Sequence, residues 1–456
     1  MAKEDSFRHV DRDLIAEGFL SDEPYRMVEE MSAIGSRFAG TESERVAVEY
    51  LQKKMAEYGL ENVRAEEYKY TGWIRGPASL QVTHPTAQSF EVLGLPGTIP
   101  GTVEAELLYI GLGTMAQWDA QKDKVKGKII LVDAKSPAWI RRGIHRREKY
   151  GRAISLGAVG LIWMRDQGGF LIETGGLLTP TEIPCVGISR EHGMALVHMA
   201  SKSPDKKVRV QITVEATIKE MPSWNVVGEI PGTTAKDRII CVGAHFDGHD
   251  IATGSMDDAS GTAVTIEAAR LLARHKGAFA RTMQFVAFSA EESGLLGSRR
   301  FVRTHEAELD KYDFMLNLDG AGRGGERGVM LQAWPELLPV FSEISRNMKW
   351  PFVTDVVLGM HSDMYPFSYL GVPSGTLASV GEVRTGRDYG HTAADTLDKV
   401  SAHGLRMDST FVARLVGRLA GWAGWPAKRK TTEEIVQIIK ETGLYDVMKY
   451  STKDVI

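Results

Sequence analysis

The chain has 456 residues, 43% of them hydrophobic and 25% charged, with 55 lysines and arginines against 59 aspartates and glutamates for a formal net charge of −4. That is the balance of a globular chain long enough for two or three domains, and it offers no overall positive field to hold nucleic acid or an anionic membrane surface. No stretch reaches the roughly 18 uninterrupted apolar residues of a membrane span, and the scattered charges of the first residues do not read as a signal peptide, so the cytoplasm is the expected location. The two cysteines, Cys185 and Cys241, lie far apart in apolar runs and are expected to be buried thiols.

Residues 1–88 mix helix with strand and form the first part of the larger unit. Between residues 42 and 59, Val46, Val48, Leu51, Met55 and Tyr58 recur near the spacing of one helix face, and Gly59 ends the run. Residues 63–70 and 78–82 then read as strands.

Residues 89–218 change texture to short strands, glycines and turns, with VEAELLYIG, VKGKIILVDA, AVGLIWM, IPCVGIS and VRVQITVEA as successive strands and a helix over 149–156. The order of these segments resembles the protease-associated domain, a β-rich module inserted in several peptidases. The resemblance implies no catalytic residue of its own, and none is visible in the segment.

From residue 219 to 456 strand, loop and helix alternate: WNVVGEI, DRIICVGAH, a helix over 259–274, TMQFVAFSA, a helix through 296–302, and FMLNLD. Apolar strands alternating with helices predict an α/β sheet covered on both faces, whose ligands gather beyond the carboxyl ends of the strands. After Ala427 a basic cluster, Lys428, Arg429 and Lys430, leads into a helix carrying Ile435, Ile438 and Ile439.

The chemistry-bearing residues fall at those strand ends. IICVGAH delivers His245 with Asp247 two positions on, GSMDDASG supplies Asp257 and Asp258 ahead of a helix, QFVAFSAEE ends in Glu291 and Glu292, MLNLDG ends in Asp319, and YGHTAADT offers His391. Singly, each has an ordinary reading as a solvated acid at a helix start or a satisfied core histidine. Together, acids ending apolar strands crowd one edge of the sheet, where like charges repel unless a cation holds them. Imidazoles with carboxylates are the donor set of zinc, manganese or cobalt.

The segments GAHFDG, GSMDDASGTA, SAEESGLLGS, NLDG and GHTAADTLDKV, in this order, resemble the two-zinc exopeptidase family of bacterial aminopeptidases and glutamate carboxypeptidases, most closely its plasma glutamate carboxypeptidase branch. The resemblance implies a zinc-exopeptidase-like α/β fold, a mixed sheet flanked by helices, interrupted by the protease-associated-like insertion. It implies two divalent metal ions, most naturally zinc, with Asp257 shared, His245 and Asp319 completing one position, and Glu292 and His391 the other. Glu291 would be the general base, and Asp247 would orient the His245 imidazole. The implied enzyme is an exopeptidase hydrolysing short peptides with a metal-activated water, as an aminopeptidase or as a dipeptidase of the glutamate carboxypeptidase type. Nucleic acid and membranes are not expected partners, and a second copy of the chain is an admissible one. The alternatives are a glutaminyl-cyclase-like acyltransferase and a receptor-like homologue without activity.

Several family members place a tyrosine directly before the last metal histidine, whereas here Gly390 holds that place and Tyr389 lies one position earlier. His361, Ser362 and Asp363 are expected near the substrate cleft, and Arg384 and Arg387 are positioned in sequence to clamp a substrate carboxylate. His249, His275, His305 and His403 carry no metal context.

Overall fold

The computed structural model describes residues 2–139, 142–203, 207–380 and 389–451. Among these residues the strands join in one continuous mixed sheet. Its larger half runs in the order Val353–Val356, Glu326–Leu331, Ser374–Val380, Tyr312–Asn317, Ala235–His245, Arg281–Phe288 and Arg209–Ile230. The order then continues into the insertion through Gly101–Gly111, Ile129–Asp133, Gly160–Met164, Cys185–Ile188 and Val92–Gly94.

Two long antiparallel strands, Glu61–His84 and Arg209–Ile230, tie the halves together, paired from Glu61 opposite Glu229 to His84 opposite Arg209. From sequence the first of these reads as two strands, over 63–70 and 78–82. The structure carries the strand through with a register shift between Arg75 and Ala78, a bulge that absorbs a residue lacking an N–H. Pro222, in the second strand, lies between the stretches that pair with Gly101–Gly111 and with Arg281–Phe288, so its missing donor costs no ladder bond on that side.

The central strands Arg281–Phe288 and Tyr312–Asn317 are buried on both faces, which is why their sequences are nearly continuous apolar runs. The helix Ser260–Ala273 packs between the sheet and the helix Ala402–Gly421. Val264, Ile266, Leu271 and Leu272 on it are at most 1% exposed, and at about 2 kcal/mol each their burial contributes on the order of 8 kcal/mol before ordering costs. The helix Ala2–Leu20 has no strong sequence signal. It docks through buried Val10 and Leu14 and through Asp11, which accepts from Arg414 Nε at 2.7 Å and Arg418 Nη1 at 2.7 Å. Cys185 and Cys241 are buried free thiols.

Candidate metal centre

Three adjacent parallel strands aim their carboxyl ends at one place. His245 ends Ala235–His245 opposite Phe288, and Asn317 of Tyr312–Asn317 lies opposite Gly243. The chain therefore emerges at one sheet edge with His245, with Glu291 and Glu292 just past Phe288, and with Asp319 just past Asn317. Asp257 sits in the turn Ser255–Ala259 that opens the buried helix Ser260–Ala273, and His391 comes from a turn late in the chain.

The carboxylate of Asp257 faces two histidines with different oxygens: Oδ1 is 3.4 Å from His245 Nε2 and Oδ2 is 3.3 Å from His391 Nε2. His391 Nε2 is also 3.4 Å from Glu292 Oε2. Two donors bound at about 2.0–2.1 Å to one tetrahedral ion stand about 3.3–3.4 Å apart, so each spacing fits a cation between the pair. The donors fall into two groups, His245 with Asp257 and Asp319, and Glu292 with His391 and His249, and within each group the donor atoms lie within 4.8 Å of one another. Both oxygens of buried Glu292 lack a hydrogen-bond partner, a costly arrangement for a carboxylate unless a cation neutralises it. The residues present thus fit two divalent ions sharing Asp257, and their nitrogen and oxygen donors suit zinc.

His249 is a correction to the sequence reading, which gave it no metal context. The structure brings its Nε2 to 2.8 Å from Glu292 Oε2. The other three histidines do stand apart from both donor groups; His305, for example, pairs with Glu66 at 3.0 Å.

The surrounding bonds fix the donors. His245 Nδ1 lies 2.9 Å from the Asp247 main-chain carbonyl, while the Asp247 carboxylate, 3.6 Å from that nitrogen, accepts from the amides of Glu291 at 3.1 Å and Glu292 at 3.3 Å. Asp247 therefore orients the imidazole through its backbone and sets the Glu291-Glu292 corner through its side chain. Ser362 Oγ donates to Asp319 Oδ2 at 2.7 Å and accepts from Asn317 Nδ2 at 2.6 Å. Asp395 accepts from the amides of Met256 at 2.8 Å and Asp257 at 3.1 Å, pinning the turn of the shared carboxylate. Asp363 is drawn away, bonded to Ser298. Asp395 lies within the GHTAADT segment, but nothing in its spacing marks it as the anchor of Asp257.

Charge is divided unevenly here. Burial raises the carboxyl of Asp257, but the His245 and His391 imidazoles outweigh it and hold the group well below its usual range. Burial acts on Glu292 in the same way, and His249 and His391 bring it down to about 2. Glu291 goes the other way: burial, with Glu292 and two further acids nearby, pushes it well above the carboxylate range against the pull of His245. Glu291 belongs to neither donor group. A carboxyl raised in this way takes up a proton more readily than an ordinary glutamate, as a group that accepts a proton and then returns it must.

The insertion reaches the centre. Arg146 donates from Nε to the Gly176 carbonyl at 3.0 Å and sets Nη1 at 3.4 Å from His391 Nδ1, and the Thr174 amide donates to the His391 carbonyl at 2.8 Å. A Cβ on Gly176 would meet the Glu292 carbonyl at 1.8 Å, so only glycine allows the insertion this close. His145 of the insertion stacks on His361 with ring centroids 3.7 Å apart. A cavity of about 390 Å³ opens beside Asp319, lined by Met360, Ser362, Thr376 and Leu377 among others. Arg384 and Arg387 lie outside the described residues.

Two donor groups sharing a carboxylate at the carboxyl edge of a mixed sheet, with a glutamate beside them, define a metallohydrolase centre of the two-cation kind. Residues 225–416 match the model of peptidase family M28 and residues 103–196 that of the PA domain. The chain is a metallo-exopeptidase whose catalytic part is similar to peptidase family M28 and whose insertion is similar to the PA domain. It is 25% identical over 361 residues to carboxypeptidase Q of Mus musculus, covering 76% of this chain and 75% of that one. It is 26% identical over 418 residues to aminopeptidase YwaD of Bacillus subtilis (strain 168), covering 87% and 84%. Among solved structures, the peptidase M28 precursor from Shewanella amazonensis SB2B superposes with a TM-score of 0.79 at 26% identity, covering 94% of this chain and 99% of that one.

Proposed function

We infer that the enzyme hydrolyses dipeptides and other short peptides with free termini. The observation that carries this reading is the contact of the insertion with the donors: Arg146 and Thr174 meet His391, and Gly176 packs against Glu292. A chain running through in both directions meets the insertion, whereas a short peptide fits beneath it.

His245, Asp257, Asp319, Glu292 and His391 would hold two divalent cations, which would supply Lewis-acid polarisation of the peptide carbonyl and acidify a water molecule. Glu291 accepts the proton of the attacking water at its carboxylate and returns it to the leaving amine. Asp247 keeps that carboxylate in place through the two amides it accepts. The cavity beside Asp319 receives a substrate side chain. Arg146, half-buried and joined to no carboxylate among the described residues, takes the free carboxylate of the peptide, the task that Arg384 and Arg387 were given from sequence. With both donor groups complete, the single-zinc acyltransferase and the inactive receptor lose their basis. The cytoplasm suits two cysteines that stay buried thiols.

The test compares a free dipeptide, its N-acetyl form and its C-terminal amide on wild type and Arg146→Ala. The amide and the Arg146→Ala variant should each raise KM about tenfold or more, without adding to one another. Internal cleavage of acetylated, amidated peptides at the rate of the free dipeptide would contradict the exopeptidase assignment of substrate.

A further inference from the structure

His249 is 3% exposed and lies in the loop between the strand Ala235–His245 and the Asp257 turn. That loop is fixed from outside itself. Wholly buried Arg37 donates to the carbonyls of Phe246 at 2.7 Å, Thr253 at 2.7 Å and Gly254 at 2.8 Å. The Gly248 amide donates to the Ser36 carbonyl at 2.9 Å, and Asp250 is gripped by Arg75 through two bonds of 2.6 and 2.7 Å. The ring of Phe38 lies along the imidazole, with centroids 6.3 Å apart. These contacts leave His249 aimed at the second donor group.

There its Nε2 is 2.8 Å from Glu292 Oε2, and its ring stands edge to face with that of His391, centroids 4.5 Å apart. Despite this closeness neither ring nitrogen of His249 and neither oxygen of Glu292 makes an aligned hydrogen bond. The four polar atoms of this buried imidazole and buried carboxylate are left for a shared cation to satisfy, and with a His391 nitrogen their donor atoms all lie within 4.8 Å of one another; the 2.8 Å between the pair is shorter than the spacing of two donors on one ion and widens when the cation enters.

We propose that His249 is a protein ligand of the second cation, together with Asp257, Glu292 and His391. This rests on the two-cation reading of the centre. Two imidazole nitrogens and two carboxylate oxygens fill a tetrahedral shell, which is the composition of a closed site, while His245, Asp257 and Asp319 leave the first position one open side. The two cations are then unequal. The second is held more tightly and leaves last, and substrate approaches the first.

The experiment uses the purified full chain, stripped and reloaded with cobalt(II) or zinc, and reads metal by chelator competition and cobalt by its visible absorption. Wild type should release two cations in two phases. In His249→Ala the slow phase should become faster by on the order of 10²-fold, with the cobalt band of the four-coordinate position altered and the fast phase unchanged. His249→Gln separates a ligand from an orienting group, since its amide can donate to Glu292 but brings no ring nitrogen. If His249→Gln holds the second cation as wild type does, or if His249→Ala keeps both affinities and the cobalt spectrum, the proposal is overturned. Wild type that binds fewer than two cations would instead defeat the two-cation reading beneath it. Circular dichroism of each metal-free variant checks that the fold persists, and His249→Asp, which restores an oxygen donor, should recover part of the lost affinity.

Discussion

Replacing Asp257 by alanine removes one side chain and should weaken both cations. Its two oxygens face His245 and His391 separately, at 3.4 and 3.3 Å, so each metal position loses one donor. A zinc site of four protein donors binds with about 10–16 kcal/mol, so each donor carries about 3 kcal/mol, roughly 10²-fold in affinity. Both dissociation constants should rise by that factor in Asp257→Ala, whereas His245→Ala should raise only one. The turn itself survives the change, because Asp395 binds the backbone amides of Met256 and Asp257 and not the side chain. Competition with a chelator of known affinity, with metal counted by elemental analysis, reads both constants. An Asp257→Ala protein that keeps two tightly bound ions, or loses only one, would refute the shared-carboxylate geometry.

Glu291→Gln removes the proton acceptor without touching a donor group, so metal content should stay at the wild-type level while kcat falls on the order of 10²–10⁴-fold; near-normal turnover rejects Glu291 as the base. Ser362→Ala deletes the hydroxyl that donates to Asp319 and should weaken the first cation by roughly 10–100-fold, leaving the second unchanged, in the same chelator titration. Glu44, buried beneath the Glu291 corner where it accepts from Ser223, Ser289 and the Gly40 amide, is pushed by burial up to about 7 from 4.5. Since the folded pKa is the higher one, its contribution to stability is fully present below about pH 4.5 and is lost as pH rises through about 7, by up to about 3 kcal/mol. Urea unfolding should therefore show Glu44→Gln gaining on wild type by up to that amount between about pH 5 and about pH 8, and a difference that stays flat with pH contradicts this origin.

The parts of the fold that were legible in the sequence are those where local pattern and tertiary environment agree. Strands buried on both faces, such as Arg281–Phe288, must be apolar throughout, and the first acids or histidines after them mark the sheet edge. That is why His245, Glu292, Asp319 and their neighbours could be found from strand ends. The shared role of Asp257 came from resemblance, and the geometry of its two oxygens gives it a physical basis. His249 was not legible, because a lone loop histidine has no periodicity, and its aim is set by Arg37, more than 200 positions away in the chain. Arg146 is as remote from His391, and no local signal connects them. The long strand Glu61–His84 was only partly legible: its sequence reads as separate strands over 63–70 and 78–82, and pairing with the partner strand carries the backbone through the intervening residues by a bulge.

The most direct test of the account is anomalous diffraction from crystals grown with zinc, recorded on both sides of the zinc edge. Two peaks are predicted about 3.5–4 Å apart, one bounded by His245, Asp257 and Asp319 and the other by Asp257, Glu292 and His391. A single peak, or two peaks with no common contact to Asp257, would contradict a centre built on one shared carboxylate.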